Sequence, residues 1–372
     1  MAMERNNNPT LFSEDFFKNY NIKYPIIQAP MAGGASCPTL VAAVAQAGCI
    51  GFLAAGYLSA LEVEKLIVET KKRTKQIFGV NLFIYDKIHM AKTVKPQNIS
   101  AIEKKLGIHK NKAYSEILLD EEIEQKIDLI IKHEIKIVSF TFGIPEKKYL
   151  EKLRKNNIYL IGNCTNIIEA KIIENAGFDA LVAQGIEAGG HRASFLNHHV
   201  NDEIGLLALL EELTGLLSIP IIASGGIVSG KTILAAKVLG AKAVQLGTAF
   251  LLTTESGIPN SYKEVLLNCH AHETSITDKI SGKNARGKLN LLMNKLNSNN
   301  SQKLPFPLQN FMTKELRSFA TKNNLIDFMA LWCGQNVWKI KQIKSVSKLI
   351  EELIFEYNIA VNHLKKNMNL FE

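Results

Sequence analysis

Short runs of consecutive apolar residues alternate along this chain with longer stretches in which apolar positions recur every three or four residues. The runs at 24–31, 49–55, 78–83, 137–141, 158–162, 180–183, 220–224 and 243–246 are mostly apolar throughout. Strands covered on both faces have that character, whereas half-exposed strands alternate. Between them, 38–47, 59–72, 121–133 and 166–175 carry helical periodicity, with Gly48 closing the first and Ser59 a good N-cap for the second. Pro145 opens a further helix after the fourth run. An open doubly wound sheet also alternates strand and helix, but eight turns without a longer break favour closure. The predicted architecture is α/β, a (β/α)8 TIM barrel. The polar segment after 83 shows no strand pattern. Beyond 250 the alternation stops, so 1–253 is taken as the barrel core. Residues 254–344 are expected to form a helical excursion over the barrel mouth, and 345–372 a closing helix that returns to the barrel.

The bulk properties narrow the setting. Hydrophobic residues make up 47% and charged residues 21% of 372 positions, as in ordinary globular chains. No apolar run approaches the ~20 residues a membrane span needs, and the N-terminus lacks a basic-then-apolar leader pattern. The five cysteines are scattered, an odd count without CxxC spacing, which suits a reducing cytoplasm better than a disulfide framework. Net charge is +9, yet the lysines are spread along the chain. The densest clusters, Lys71-Lys72-Arg73 and Lys365-Lys366, lack interleaved aromatics, so no nucleic-acid partner is expected.

Barrels act at the C-terminal ends of their strands. The sixth run ends in Gln184-Gly185-Ile186-Glu187-Ala188-Gly189-Gly190-His191-Arg192. There a buried strand becomes a glycine-rich loop carrying one acid and one imidazole, the ending of an active-site strand. His191 is the candidate catalytic residue. Glu187 either orients its ring or caps a turn, and Arg192 either draws an anion or pairs with Glu187. The seventh run ends at Ser224-Gly225-Gly226-Ile227 and the eighth at Gln245-Leu246-Gly247-Thr248. Any one glycine pair fits a tight turn, but two such turns at adjacent strand ends suit a phosphate. Asn81 and Gln184 are amides in otherwise apolar strands, and amides can donate and accept along a flavin edge. No Walker or GxGxxG pattern is present. His198-His199 and His270/His272 lack the ligand partners of a structural zinc site, and no metal is expected.

Taken jointly, Gln28-Ala-Pro-Met31-Ala-Gly33-Gly34, Phe78-Gly-Val-Asn81, the Gln184–Arg192 stretch, Ala223-Ser-Gly-Gly-Ile227 and Gln245-Leu246-Gly247-Thr248 resemble the nitronate monooxygenases, formerly 2-nitropropane dioxygenases. The resemblance extends through Ser281-Gly282-Lys283-Asn284-Ala285-Arg286 and Trp332-Cys333-Gly334-Gln335. It implies a TIM barrel holding FMN non-covalently. Asn81, Gln184, Gly189, Gly190, Gly225, Gly226 and Gln245 to Thr248 would contact the flavin, with Met31 and Gly33 near its ring. His191 matches the family's catalytic histidine. The implied reaction oxidises an alkyl nitronate or nitroalkane with molecular oxygen to a carbonyl compound and nitrite, without NADH, and with propionate 3-nitronate as the expected substrate. Ala193-Ser194-Phe195 stands where many relatives carry a further glycine, and Lys283 where arginine is common. The rival on the same scaffold is an NADH-using enoyl-acyl-carrier-protein reductase or NADH:quinone reductase. Gln184 and Arg192 argue against it, since those reductases resemble this chain less at both positions.

Overall fold

Eight parallel strands close on themselves in chain order: β1 Ile26–Gln28, β2 Ile50–Ala54, β3 Gly79–Phe83, β4 Ile137–Thr141, β5 Tyr159–Cys164, β6 Ala180–Gln184, β7 Ile221–Ser224 and β8 Ala243–Leu246. This is the (β/α)8 barrel. The computed structural model describes residues 10–108, 114–196, 203–297 and 303–367. His198 and His199 lie outside the described residues.

Strand register explains why the mouth is polar. Asn81 pairs with Ser139 across β3 and β4, Gln184 with Ser224 across β6 and β7, and Ser224 with Gln245 across β7 and β8. Below this belt the barrel interior is filled by Ile27, Phe52, Ile137, Ile161, Val182 and Ile222. Phe16 reaches the same cluster from a short helix, Glu14–Asn19, which the hydrophobic pattern did not predict. Ser13 caps that helix by accepting the Phe16 N–H at 3.1 Å, and the Phe16 ring meets Tyr159 edge-on at 5.2 Å. The foot of the barrel is thereby plugged by an aromatic cluster.

Outside the strands, the helices turn apolar stripes inward. Helix Ala60–Arg73 buries Val63 and Ile67 and begins in a full capping box, in which Ser59 N–H donates to Glu62 at 2.7 Å. The long helix Val346–Lys366 packs against helices Gly230–Val238 and Pro38–Gln46, joining the end of the barrel to its beginning. Among the described residues no helix is long and apolar enough to cross a membrane.

Two expectations need correction. The segment after β3 does carry strands: Ile88–Thr93 pairs antiparallel with Tyr114–Leu119. Their partners are distant in sequence and their faces only partly covered, so neither displays a continuous apolar run. Nor is the excursion wholly helical. Thr274–Thr277 and Ala285–Lys288 form antiparallel strands, and Ala285–Lys288 also pairs with the two-residue strand Gly190–His191. Excursion helices Leu291–Asn297 and Leu308–Lys322 share a second small core with Ile99, Ile102 and Ile117 of the segment that follows β3.

Candidate active site at the barrel mouth

The loop after β6 is stitched to itself. Arg192, only 4% exposed, donates through Nη1 to the carbonyls of Gln184 (3.0 Å) and Gly185 (2.7 Å) and to Gln184 Oε1 (3.0 Å). Ala193 N–H donates to the same Oε1 at 2.9 Å, while Gln184 Nε2 donates to the His191 carbonyl at 3.0 Å. The side-chain oxygen of Gln184 is therefore engaged by its own loop, leaving one amide N–H to offer. Glu187 caps a helix rather than orienting the histidine: both its oxygens accept the Leu206 N–H, at 3.0 and 3.1 Å, ahead of helix Leu206–Thr214. Gly189 is required sterically, since a Cβ there would fall 2.3 Å from the Cys333 carbonyl carbon.

His191 is positioned from outside the barrel. Its strand pairs with Ala285, and its Nε2 lies 2.8 Å from Ser281 Oγ. That hydroxyl donates to the Lys283 carbonyl at 3.1 Å, so it receives the imidazole proton, which assigns the hydrogen to Nε2. Nδ1 meets no partner among the described residues. Around the ring stand Trp332 at 5.7 Å, Phe142 at 5.8 Å and Phe306 at 6.3 Å between centroids. Burial, followed by the nearby charges of Arg317 and Lys283, pushes His191 down to about 3. The ring is neutral at pH 7.

Neither Lys283 nor Arg317 has a carboxylate in contact among the described residues. Lys283 Nζ donates to the Ser194 carbonyl at 2.7 Å and lies 5.0 Å from the Phe142 centroid. Burial lowers its pKa, and only the more distant Glu169 opposes that. Arg317 donates through Nε to Thr313 Oγ1 (3.1 Å) and through Nη2 to Asn310 O (2.9 Å) and Oδ1 (2.7 Å). His191 and Arg317 are both half-buried.

On the other side of the mouth, Asn81 is fully buried. Its Nδ2 donates to Ser139 O (3.2 Å), Ser139 Oγ (2.8 Å) and Thr141 Oγ1 (3.0 Å), but its Oδ1 accepts from nothing among the described residues. The turn after β7 places Gly225 and Gly226 at φ +112° and +66°, and Gly226 O accepts from Asn336 Nδ2 at 2.6 Å. The N–H groups of Gly226, Ile227 and Thr248 find no acceptor among the described residues. Thr248 Oγ1 accepts the Gly334 N–H at 2.9 Å and keeps its own proton to donate. Gln245 and Leu246 lie in β8 between β1 and β7, with Gly247 facing Met31 Sδ. Gly33 adopts φ +85° and Gly190 φ +74°. A Cβ at Gly33 would meet only open space.

A sequence model described as nitronate monooxygenase matches residues 14–356. This chain belongs to the nitronate monooxygenase family. It is accordingly an oxidoreductase. A Staphylococcus saprophyticus protein named "Probable nitronate monooxygenase" is 37% identical over 345 residues, covering 92% of this chain and 97% of the relative. Among solved structures, nitroalkane oxidase from Streptomyces ansochromogenes superposes with a TM-score of 0.80 at 32% identity, over 92% of this chain and 98% of the other. FabK from Thermotoga maritima gives 0.75 at 26% identity, over 97% of this chain and 100% of the other.

Within this member of the family, several mouth residues escaped the sequence reading. Tyr57, Tyr85, Phe142, Phe306 and Arg317 belong to no motif. Tyr57 and Phe142 could have been found, because each lies just beyond a barrel strand; both hold positive φ, +67° and +73°. Phe306 and Arg317 carried no signal, since they arrive from the excursion.

Proposed function

We propose that this chain is an FMN-dependent nitronate monooxygenase that oxidises alkyl nitronates, propionate 3-nitronate foremost, with molecular oxygen to a carbonyl compound and nitrite. The supporting observation is a neutral imidazole flanked by two half-buried cations that meet no carboxylate among the described residues. An alkyl nitronate is an anion, and such a setting draws anions into a low-dielectric cavity.

The residues present fit FMN. Asn81 Oδ1 is a buried acceptor lacking a donor, and the edge of an isoalloxazine ring presents an N–H. The uncommitted N–H groups of Gly226, Ile227 and Thr248, with the Thr248 hydroxyl, suit a phosphate. FMN, when bound, supplies electron acceptance from the nitronate and the reaction with oxygen. Gln184 contributes chiefly by shaping the loop beneath His191. Towards a neutral nitroalkane, His191 takes the α-proton on Nδ1 while Ser281 holds the opposite nitrogen. Towards a preformed nitronate no proton transfer is required, and the imidazole acts as a neutral polar contact. An anion seated beside it raises its basicity, offsetting the depression caused by Arg317 and Lys283. The walls of Phe142, Phe306 and Trp332 exclude water.

The test is anaerobic reduction of the purified yellow protein. A nitronate is expected to change the flavin spectrum within the mixing time of turnover, and NADH is not. Rapid bleaching by NADH with no response to nitronate would transfer the chain to the reductase reading.

A further inference from the structure

One buried ion pair has no task in this chemistry. Glu121 Oε2 and Lys126 Nζ meet at 2.7 Å, with side chains 1% and 0% exposed. Withdrawing two charges from water is costly, and packing alone is served as well by apolar residues of similar size. The pair therefore points to something that it holds. Lys126 lies on helix Ile123–Lys132, and its Nζ also donates to the Ala55 carbonyl at 3.1 Å, just past the end of β2.

The other carboxylate oxygen, Glu121 Oε1, takes donors from two different loops. The Tyr57 N–H reaches it at 2.9 Å from the loop after β2, and Tyr85 Oη at 2.8 Å from the segment after β3. Burial, then the adjoining Glu121 charge, raises the Tyr85 phenol above its ordinary value, so it stays a donor at neutral pH. Tyr57 sits at φ +67°, a region costly to a bulky residue unless its surroundings enforce it. Its backbone is enforced by Glu121 and its ring by Phe83, met edge-on at 5.0 Å. Its buried hydroxyl has no partner among the described residues, so nothing there anchors the ring from its tip. Both tyrosines converge on Phe306, at 6.2 Å from the Tyr57 centroid and 5.5 Å from that of Tyr85, while Phe142 stands 4.9 Å away. Phe306 in turn lies 6.3 Å from His191.

We propose that Glu121 and Lys126 are positioning residues for the reaction: one carboxylate oxygen fixes two tyrosines against Phe306, and the wedged Phe306 ring limits solvent access to His191. The proposal rests on the reading above in which His191 faces the substrate. Lys126 holds the carboxylate in place and ties it to the end of β2, so the pair acts through the rings and touches neither His191 nor the substrate.

The test measures carbethoxylation of His191 by diethyl pyrocarbonate, resolved by peptide mass spectrometry, and kcat/KM for ethyl nitronate, both in the flavin-loaded enzyme at neutral pH. Glu121→Met combined with Lys126→Met replaces the pair by apolar side chains, a change that a purely packing role tolerates. This double variant is expected to label His191 about tenfold faster and to lose about tenfold in kcat/KM. Tyr85→Phe, which keeps the ring and removes one bond to Oε1, moves both readouts about threefold in the same directions, and it carries the test alone if the double variant does not fold. In a Phe306→Ala background, where the wedged ring is gone, neither change adds a further effect. Labelling and kcat/KM unmoved in the folded variants overturn the proposal, as does an effect that persists in full without Phe306. If wild type oxidises no nitronate, the nitronate reading fails, and the labelling of His191 still decides whether Glu121 and Lys126 position its surroundings.

Discussion

Two buried polar networks meet at the barrel mouth, and they differ in completeness. Around Gln184, the side-chain amide, the Arg192 guanidinium and the loop carbonyls satisfy one another. Around Asn81, Tyr57 and Arg317, strong hydrogen-bonding atoms find no partner among the described residues. A buried polar atom without a partner costs about 1–3 kcal/mol, so a protein keeps one where something else completes it. The first network holds a loop in shape; the second keeps polar atoms in reserve. The family resemblance implies a flavin contact for Gln184; the hydrogen bonds add that Gln184 and Arg192 hold each other and their loop.

The sharpest way to break this contrast is at His191, where the two networks touch. His191→Ala is expected to lower kcat/KM for a neutral nitroalkane about 10²–10⁴-fold while flavin absorbance persists. A preformed nitronate, which needs no proton removed, should lose far less. Equal losses on the two would remove the base role. Next in size is the scaffold itself. Arg192→Met should lower unfolding stability by about 3 kcal/mol in urea titration, because it strands three buried acceptors at once. Arg317→Met should cost about 1 kcal/mol, since its bonds lie within one helix turn or two. The reverse order would show that the complete and incomplete networks have been exchanged.

Asn81→Leu removes the orphan oxygen and is expected to weaken flavin retention about tenfold, measured by dialysis and fluorescence of released flavin. Unchanged retention would disconnect Asn81 from the cofactor. The smallest expected effect concerns pH. His191 sits near 3 in the folded chain against an ordinary 6.5. The unfolded chain therefore takes up this proton first as pH falls. Folding stability from this group is fully present above 6.5 and is lost towards 3, with a limiting slope of about 1.4 kcal/mol per pH unit. Lys283→Met removes one of the charges responsible, so it should raise the His191 pKa and end that decline at a higher pH. Urea unfolding between pH 7.0 and 5.5 measures the decline, and its continuation towards pH 3 measures the Lys283→Met effect. The wild-type kcat/KM profile should show no histidine ionisation between pH 6 and 8.

The eight barrel strands were legible because each is buried on both faces and bounded by glycine, proline or a capping residue; Ser59 with Glu62 is an example. The strands 88–93 and 114–119 were not, since their partners are separated by a helix and their faces are half covered. His191 was legible from its glycines and its place after β6. Its cage was not: Ser281, Phe306 and Arg317 lie far along the chain, and nothing local marks them.

What the sequence determined by itself was the barrel, the turns after β7 and β8, and the imidazole on the loop after β6. These depend on interactions among near neighbours and on hydrophobic periods that survive without partners. Tertiary structure alone decided which polar atoms are consumed and which are left over. Gln184 and Asn81 are both amides on barrel strands, yet Arg192 occupies the oxygen of the first and nothing among the described residues occupies that of the second. Hydrogen bonding is short-ranged and saturable, so the free valences of a buried site are known only once distant segments have come to rest against it.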